Sequence, residues 1–202
     1  MTRIRESLGM TGRVHSVNTG TAERLRVGGG RTVLSGIRKT PVTGDVAVGP
    51  LGLTGDEQVD LSVHGGLQKA VYAYPVEHLP FWQAARRTHG VSLFDEALPP
   101  GFMGENLLIE GVLEHEIWVG DTLQFAHCAL RVTAPREPCG KFAAVMGFPG
   151  AGRLMVQSAR CGFYMAVDEP GFIQAGQRFS VVAGRREMRI DDAIRARWLK
   201  HR

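Results

Sequence analysis

The amino-acid sequence predicts a mainly β protein, folded as a distorted closed β-barrel with a few peripheral helices and a C-terminal helix. Many short apolar runs of β-like composition follow one another at close spacing, as in barrels built from short strands. Glycine and proline separate these runs and mark turns. Long helical patterns are few, which argues against alternating strands and helices. A chain of 202 residues is long enough to bury one core, so we expect one domain.

The first half of the chain predicts strands and one helix. The strands lie at residues 13–17, in short pieces between residues 37 and 48, and at residues 69–74, with turn residues at their borders. Pro75 then opens a helix that runs to about His89. Proline suits the first helical position, and the apolar residues after it follow helical spacing.

The second half predicts further strands and short helices. The expected strands are residues 117–125, 129–133, 162–167 and 177–182, and the expected helical segments are residues 142–146, 154–158 and 191–199. Aspartates at 191 and 192 suit the N-terminal end of the last helix. The predicted domain organisation is an N-terminal extension (1–11), a barrel domain (12–184) and a short basic C-terminal helix (185–202).

Composition limits the class of protein. No run reaches the roughly eighteen uncharged apolar residues of a membrane span, and the first ten residues contain no apolar segment typical of a signal peptide. We therefore expect a cytoplasmic protein with no membrane partner. The three cysteines form no CxxC pattern, which disfavours a disulfide scaffold and a structural zinc site. The net charge of +4 comes mostly from arginine, which suits contact with phosphate or carboxylate.

Residues 135–141, with the sequence PREPCGK, place one thiol between prolines and a glycine that prevent a regular helix. Arg136 and Lys141 flank Cys139. A neighbouring positive charge favours the thiolate and lowers the pKa of a thiol. The stretch therefore predicts a reactive or metal-binding cysteine, with a small buried apolar residue in a turn as the alternative.

A short polar stretch that begins at Asp56 allows three interpretations. Asp56, Asp60 and His64, at a spacing of four, would bind a divalent metal if they shared one helical face. Alternatively, the segment 64–66 forms a backbone nest that holds a phosphate with help from Lys69. In the third interpretation the aspartates cap turns and the glycines permit a bend. The glycine pair disfavours a continuous helix, so anion binding fits better than metal binding.

Two weaker candidates lie further along the chain. Asn106 and an adjacent glycine amide would hydrogen-bond a heterocycle, or they simply begin a strand. Arg160 stands beside a strand that begins at a glycine, and we expect its neighbour Cys161 to pack in the core.

An ordered set of motifs over about residues 12–184 resembles the MOSC domain family, named for the C-terminal domain of molybdenum-cofactor sulfurase. The match is closest to the stand-alone bacterial members of the YiiM type. In chain order the motifs are KTPV at 39–42, GLTGD at 52–56, HGG at 64–66, GENL at 104–107, GD at 120–121, PREPC at 135–139 and GFY at 162–164.

The resemblance implies a barrel like that of pyruvate kinase, with a cleft for the molybdenum cofactor, a pterin dithiolene that carries a phosphate. It implies that Cys139 ligates molybdenum or carries sulfur as a persulfide, and that His64 and Arg136 are catalytic residues beside it. It assigns cofactor binding to Lys39, Gly65, Gly66, Lys69, Asn106 and Arg160.

The activity implied by the resemblance is reduction of small N-hydroxylated compounds, such as hydroxylaminopurines or amidoximes. The sequence contains no flavin or iron–sulfur motif, so such an enzyme needs a separate electron-donor protein. The alternative is a sulfur carrier whose Cys139 persulfide is supplied by a pyridoxal-phosphate-dependent cysteine desulfurase for the assembly of metal–sulfur cofactors. A third possibility is a barrel that binds another anionic small molecule without redox chemistry.

The sequence also bears on pyridoxal phosphate, nucleic acid and a second copy of the chain as partners. Binding of pyridoxal phosphate by the chain itself is disfavoured, because no lysine stands in an evident Schiff-base setting. Nucleic acid is also disfavoured, since the basic C-terminal segment fits a solvated helix face better. The sequence is also compatible with a homodimer.

Overall fold

The structure is a computed structural model that describes residues 9–59 and 65–199, except for the side chains of residues 198 and 199. The strands of the described part are β1 Thr11–Thr19, β2 Glu23–Arg26, β3 Thr32–Ser35, β4 Thr40–Val42, β5 Val46–Gly49, β6 Gly52–Leu53, β7 Val71–Pro75, β8 Leu107–Glu110, β9 Thr122–Gln124, β10 Ala129–Pro135, β11 Phe163–Glu169, β12 Gly171–Ile173 and β13 Arg178–Val182. The helices are α1 Leu79–Thr88, α2 Gly140–Met146, α3 Ala151–Ser158 and α4 Ile190–Leu199, with 3-10 turns at Gly28–Gly30, Leu67–Lys69 and Val76–His78.

Seven strands close into a barrel in the order β13, β9, β10, β11, β7, β8 and β1, and β1 pairs back with β13. Neighbouring strands are antiparallel except for the parallel pair β7 and β8. β4 pairs with the last residues of β1. Two smaller sheets, β12–β5–β6 and the hairpin β2–β3, lie outside the barrel. The predicted closed β-barrel is confirmed.

The barrel is distorted in two of its strand pairs. The pairing of β1 with β8 shifts register between Val14 and Ser16, and that of β10 with β11 shifts between Val132 and Ala134. Such bulges bend a strand and increase its twist. β1 can therefore pair with β13 at its beginning and with β4 at its end.

The core fills the barrel and extends under its helices. β7 is buried along its whole length. Trp82 of α1 meets Phe142 of α2 edge-on, with ring centroids 5.4 Å apart, and its indole N–H donates to the hydroxyl of Tyr74. Full burial of a side chain of this size contributes roughly 1.5–3 kcal/mol. These contacts fix α2, which begins next to Cys139, against the barrel.

One predicted strand is mostly wrong. Of the expected strand at residues 117–125, only β9 is formed. Gly120 has φ +94°, and the carboxylate of Asp121 accepts the N–H of Trp118 at 3.2 Å, so residues 118–121 form a turn. The predicted helix from Pro75 is formed as a 3-10 turn followed by α1.

The sequence predicts a barrel domain at residues 12–184, between an N-terminal extension and a C-terminal helix. The barrel strands run from Thr11 to Val182, and α4 follows them. Residues 1–8 of the predicted extension lie outside the described residues. Over the ranges 9–59 and 65–199, no helix is both long enough and apolar enough to cross a membrane.

Candidate functional site

A cleft opens at the end of the barrel where β4, β7 and β8 begin and β10 ends. The cleft is open to solvent, and the space within it, solvent included, measures about 610 Å³. Its lining includes one thiol, four cationic side chains and two tyrosines: Cys139, Lys39, Lys69, Arg136, Lys141, Tyr72 and Tyr164.

The cysteine loop enters this cleft from the end of β10. β10 ends at Pro135, and the N–H of Arg136 then donates to the carbonyl of Gly162 at 3.3 Å. Cys139 has extended backbone geometry, and its carbonyl accepts the N–H of Phe142 at 3.0 Å. The chain therefore changes from extended loop to helix directly after the thiol, which fixes the backbone that carries it.

All three cysteines lie in the described part of the chain, and only Cys139 lines the cleft. Cys139 is half-buried, whereas Cys128 and Cys161 are buried. Burial raises the pKa of Cys128 to about 11 and that of Cys161 well above its usual value. Both buried cysteines are therefore neutral thiols at neutral pH, and the prediction that Cys161 packs in the core is confirmed.

Arg136 lines the cleft together with Cys139 and is only 3% exposed. Its guanidinium lies 4.5 Å from the ring centroid of Phe142 and 5.8 Å from that of Tyr72, and its Nη1 is 3.5 Å from the sulfur of Met155. Among the described residues, no carboxylate forms an ion pair with it. A buried charge without an opposite charge is costly, so this position favours an anion nearby.

The pKa of Arg136 shows how it interacts with the thiol. Burial lowers the pKa of Arg136, but Tyr72 and Cys139 oppose that effect, and the net shift is upward. The guanidinium therefore stays charged. Because an interaction between two charges is mutual, the same contact favours the thiolate of Cys139. Burial raises the pKa of Tyr72 and of Tyr164 against the opposing effect of Arg136, so both tyrosines remain neutral.

The opposite wall of the cleft contains a buried ion pair. The ammonium of Lys39 contacts the carboxylate of Asp56, and their side chains are 7% and 4% exposed. Asp56 also accepts the N–H of Gly20 at 3.0 Å and the side-chain amide of Asn106 at 2.8 Å. The charge of Lys39 is thus balanced within the protein, which leaves it less available to a bound anion than its position in the cleft suggests.

Asn106 organises this wall. Its side-chain oxygen accepts the N–H of Tyr72 at 3.1 Å, and its amide hydrogens are directed at Asp56 and at the carbonyl of Asn18, 3.4 Å away. Asn106 therefore joins the end of β1 to the start of β7. Both of its amide donors are used inside the protein, so it lines the cleft as a structural bridge.

Glu105 lies beside this wall and is 1% exposed. Its carboxylate accepts the N–H of Gly101 at 2.6 Å and that of Met103 at 3.0 Å. Burial raises its pKa to about 7, although these hydrogen bonds and the charge of Lys39 oppose the shift. The carboxyl group therefore titrates near neutral pH.

Several predicted residues do not reach the cleft. Arg160 was expected to bind the cofactor, but its guanidinium lies 4.1 Å from the ring centroid of Phe81 and lines a separate cavity. Neither Gly65 nor Gly66 lines the cleft. The N–H of Gly66 donates to the side-chain oxygen of Gln58 at 2.9 Å, so this amide is already satisfied within the protein.

The predicted residue His64 lies outside the described residues, as does Asp60. Of the three residues in the metal interpretation, Asp56 is therefore the one that the structure describes, and its carboxylate forms an ion pair with Lys39. Within 9–59 and 65–199, no group of three or more histidine, cysteine or acidic side chains is arranged to hold a metal ion.

Sequence reasoning missed several residues of the site. Asp56 was interpreted as a metal ligand or as a turn cap, not as the partner of Lys39 and Asn106, and Glu105, Tyr72 and Tyr164 were given no role in the site. A signal for the tyrosines was present, because Tyr164 belongs to the GFY motif and Tyr72 lies on the predicted strand that begins at Lys69. Only the pairing of Tyr72 with Tyr164 on neighbouring strands shows that they meet, with ring centroids 5.3 Å apart.

A closed barrel with a cysteine in a cation-lined cleft defines the class of protein. Residues 60–180 match the MOSC domain, and the chain belongs to the MOSC domain family. It is similar to the YiiM proteins in structure: YiiM from Geobacillus stearothermophilus superposes with a TM-score of 0.73 at 27% sequence identity, over 94% of this chain and 85% of that one.

Two relatives extend the comparison in sequence. The chain is 32% identical over 170 residues to the uncharacterized protein YflK of Bacillus subtilis, which covers 84% of this chain and 73% of YflK. It is 31% identical over 163 residues to a protein named "Reductase" from Gibberella moniliformis. That match covers 80% of this chain and 28% of the relative, so most of the relative lies outside the shared part.

Proposed function

We propose that the cleft binds the pterin-based molybdenum cofactor, with the sulfur of Cys139 as a ligand of molybdenum, and that the loaded protein reduces N-hydroxylated compounds. The observation that carries this proposal is the position of Arg136. It is a buried guanidinium with no carboxylate ion pair among the described residues, and it lies beside a half-buried thiol in an open cleft.

The residues of the cleft fit this cofactor. A metal-binding cysteine must be deprotonated, and Arg136 favours that form. A phosphate-bearing pterin is anionic, and Lys69 and Lys141 line the same cleft, where ammonium groups can bind phosphate oxygens. Lys39 has its charge balanced by Asp56, so we assign it to the wall that positions the cofactor.

The proposed reaction converts R–NH–OH to R–NH2 and water, with the uptake of a pair of electrons and a pair of protons. When bound, the cofactor supplies a metal that exchanges electrons with the substrate. Cys139 holds that metal, Arg136 keeps the sulfur anionic, and the neutral rings of Tyr72 and Tyr164 form an apolar wall. The similarity to a relative named "Reductase" supports a reduction.

The test is turnover of an amidoxime and of 6-hydroxylaminopurine by the cofactor-loaded protein with a chemical reductant. We expect the wild type to release the amidine from the amidoxime and adenine from 6-hydroxylaminopurine. We expect Cys139→Ser to lower both rates by about 100-fold, as for loss of a metal-site contact. Cys128→Ser, which alters a cysteine away from the cleft, is the control. Absence of turnover by loaded wild-type protein would contradict the proposed reduction.

A sulfur carrier is the second candidate, because Cys139 is the cysteine that reaches the cleft while the other two are buried. In that case the Cys139 thiolate attacks the outer sulfur of a persulfide on the desulfurase. The S–S bond of the donor breaks, the desulfurase thiolate leaves, and Cys139 carries the persulfide Cys139–S–SH. Pyridoxal phosphate would belong to the desulfurase. Mass spectrometry after incubation with a desulfurase and cysteine tests this role, and sulfur found on Cys128, on Cys161 or on none of them would exclude it.

A further inference from the structure

We propose that the outer face of the β2–β3 hairpin is the docking surface for the electron donor, and that this donor is an acidic one-electron carrier protein. We call this surface the hairpin face and define it by Arg24, Arg26, Thr32 and Leu34. The inference rests on the proposed function, since a reduction needs a source of electrons.

The strand register defines the hairpin face. Arg24 pairs with Leu34, and Arg26 pairs with Thr32. Side chains of neighbouring positions on a strand point to opposite faces, and Leu25, on the inner face, is buried. The four residues of the hairpin face are exposed, and Leu34 is 56% exposed. The hairpin thus buries Leu25 and Ser35 on one face and presents arginine and leucine to solvent on the other.

The hairpin adjoins the site. β3 ends at Ser35, and the chain continues directly through Gly36 and Ile37, which line the cleft together with Ser35. β2 lies beside α2, the helix that begins immediately after Cys139. A protein docked on the hairpin face therefore lies next to the cleft.

The charge of the hairpin specifies the partner. Residues 21–38 contain four arginines and one glutamate. That glutamate, Glu23, pairs with Arg38 at 3.2 Å, and in the described part of the chain no carboxylate pairs with Arg24 or Arg26. A cationic face steers an acidic protein and orients it as it docks. Leu34 adds an exposed apolar contact between the arginines.

The chemistry of the reaction specifies what the partner carries. Two reduced donors, R–NH–OH and a pair of protons give two oxidised donors, R–NH2 and water, so a one-electron carrier docks twice per turnover. Electron-transfer complexes of this kind use small interfaces, for which a short hairpin is sufficient. An acidic plant-type [2Fe–2S] ferredoxin has the required charge and chemistry and serves as the probe.

The binding test compares two double variants with the same change in charge. Arg24→Glu with Arg26→Glu reverses the hairpin face, and Arg178→Glu with Arg185→Glu is the control. In the register of β13 and β1, the backbone of Arg178 lies opposite that of Arg13. This position is near the start of β1, at the opposite end of that strand from the cleft. We expect the hairpin variant to weaken the Kd for ferredoxin about tenfold or more, and the control to change it less than about twofold.

The turnover test separates docking from chemistry. With reduced ferredoxin as the donor, the loaded hairpin variant should be slower than the control variant, and with a chemical reductant the two should be equal. If loaded wild type shows no turnover with the chemical reductant, the proposed function fails, and the ferredoxin affinities alone then decide the docking surface.

Four results would overturn the inference. They are no binding of ferredoxin by wild type, equal losses of affinity in the hairpin and control variants, equal loss of turnover with both donors in the hairpin variant, and a hairpin variant that loses binding of single-stranded RNA while ferredoxin binding is unchanged. The last result would assign the hairpin face to nucleic acid.

Discussion

Arg136 has an unusual environment for an ionised side chain, since aromatic rings and a thioether surround its guanidinium. Cation–π contacts offset part of the cost of burying a charge, but an anion offsets it more fully. The nearby thiol at position 139 becomes that anion when it ionises. Arg136 is therefore expected to act through the protonation state of Cys139.

Replacing Arg136 by methionine tests this role. Arg136→Met should move the pH midpoint for alkylation of Cys139 by iodoacetamide upward by about one unit, equivalent to about 1.4 kcal/mol of lost thiolate stabilisation. Stability to urea should change little or rise, because an apolar side chain replaces a buried unpaired charge. Arg160→Met, in the separate cavity, is the control. Identical midpoints in both variants would contradict this role.

At the residue scale, the sequence predicted the side chains of the site that lie in one short segment. Arg136 and Cys139 are three positions apart, and both line the cleft. The partnership of Lys39 with Asp56 and Asn106 was not predicted, because it joins residues up to 67 positions apart through strands whose pairing the sequence does not state. The location of Arg160 beside Phe81, in a separate cavity, was also not predicted.

At the scale of elements, the start of β11 fixes the end of β10 and hence the cysteine loop. Gly162, directly before β11, has φ +64° and accepts the N–H of Arg136 through its carbonyl. Its own N–H donates to Glu114 at 2.7 Å. A β-carbon here would lie 2.3 Å from the carbonyl oxygen of Ala73 and 2.8 Å from the ring of Tyr72.

Gly162→Ala should therefore lower the free energy of unfolding by about 3 kcal/mol or more, through overpacking against backbone and the strained backbone angle. Gly176→Ala is the matched control, because Gly176 also has positive φ, at +85°, but has open space around it. We expect a loss of about 1–2 kcal/mol for the control. Urea unfolding measures both, and equal losses would show that close packing at Gly162 is unimportant.

Elements with strong local signals were predicted well. The strands β1, β7, β10, β11 and β13, and the helix after Pro75, lie close to their predicted positions, because apolar periodicity and turn residues agree there. The strands β2, β3, β6 and β12 were not predicted. They are only two to four residues long, too short for alternation to stand out, and β12 and β6 are strands because each pairs with β5.

At the scale of the whole molecule, the stability of the fold depends on pH through Glu105, which lies in the loop before β8. The pKa of this carboxyl is raised from 4.5 in the unfolded chain to about 7 in the folded protein. Between these values the folded protein binds the proton more tightly, so this contribution to stability is complete below about pH 4.5 and is lost as the pH rises to about 7.

Comparison of wild type with Glu105→Gln isolates this effect, since the variant cannot titrate at that position. The free energy of unfolding of wild type, relative to the variant, should fall by about 3 kcal/mol between about pH 4.5 and pH 8. Urea unfolding across that range measures it. Parallel stability curves for the two proteins would mean that Glu105 titrates normally.

The molybdenum content of protein produced in a host that makes the cofactor tests the central claim most directly. We predict about one molybdenum per chain for wild type and almost none for Cys139→Ala, because a deprotonated cysteine sulfur is the proposed ligand. Cys128→Ala should retain the metal. Wild-type protein without molybdenum, or Cys139→Ala with the wild-type amount, would contradict the account.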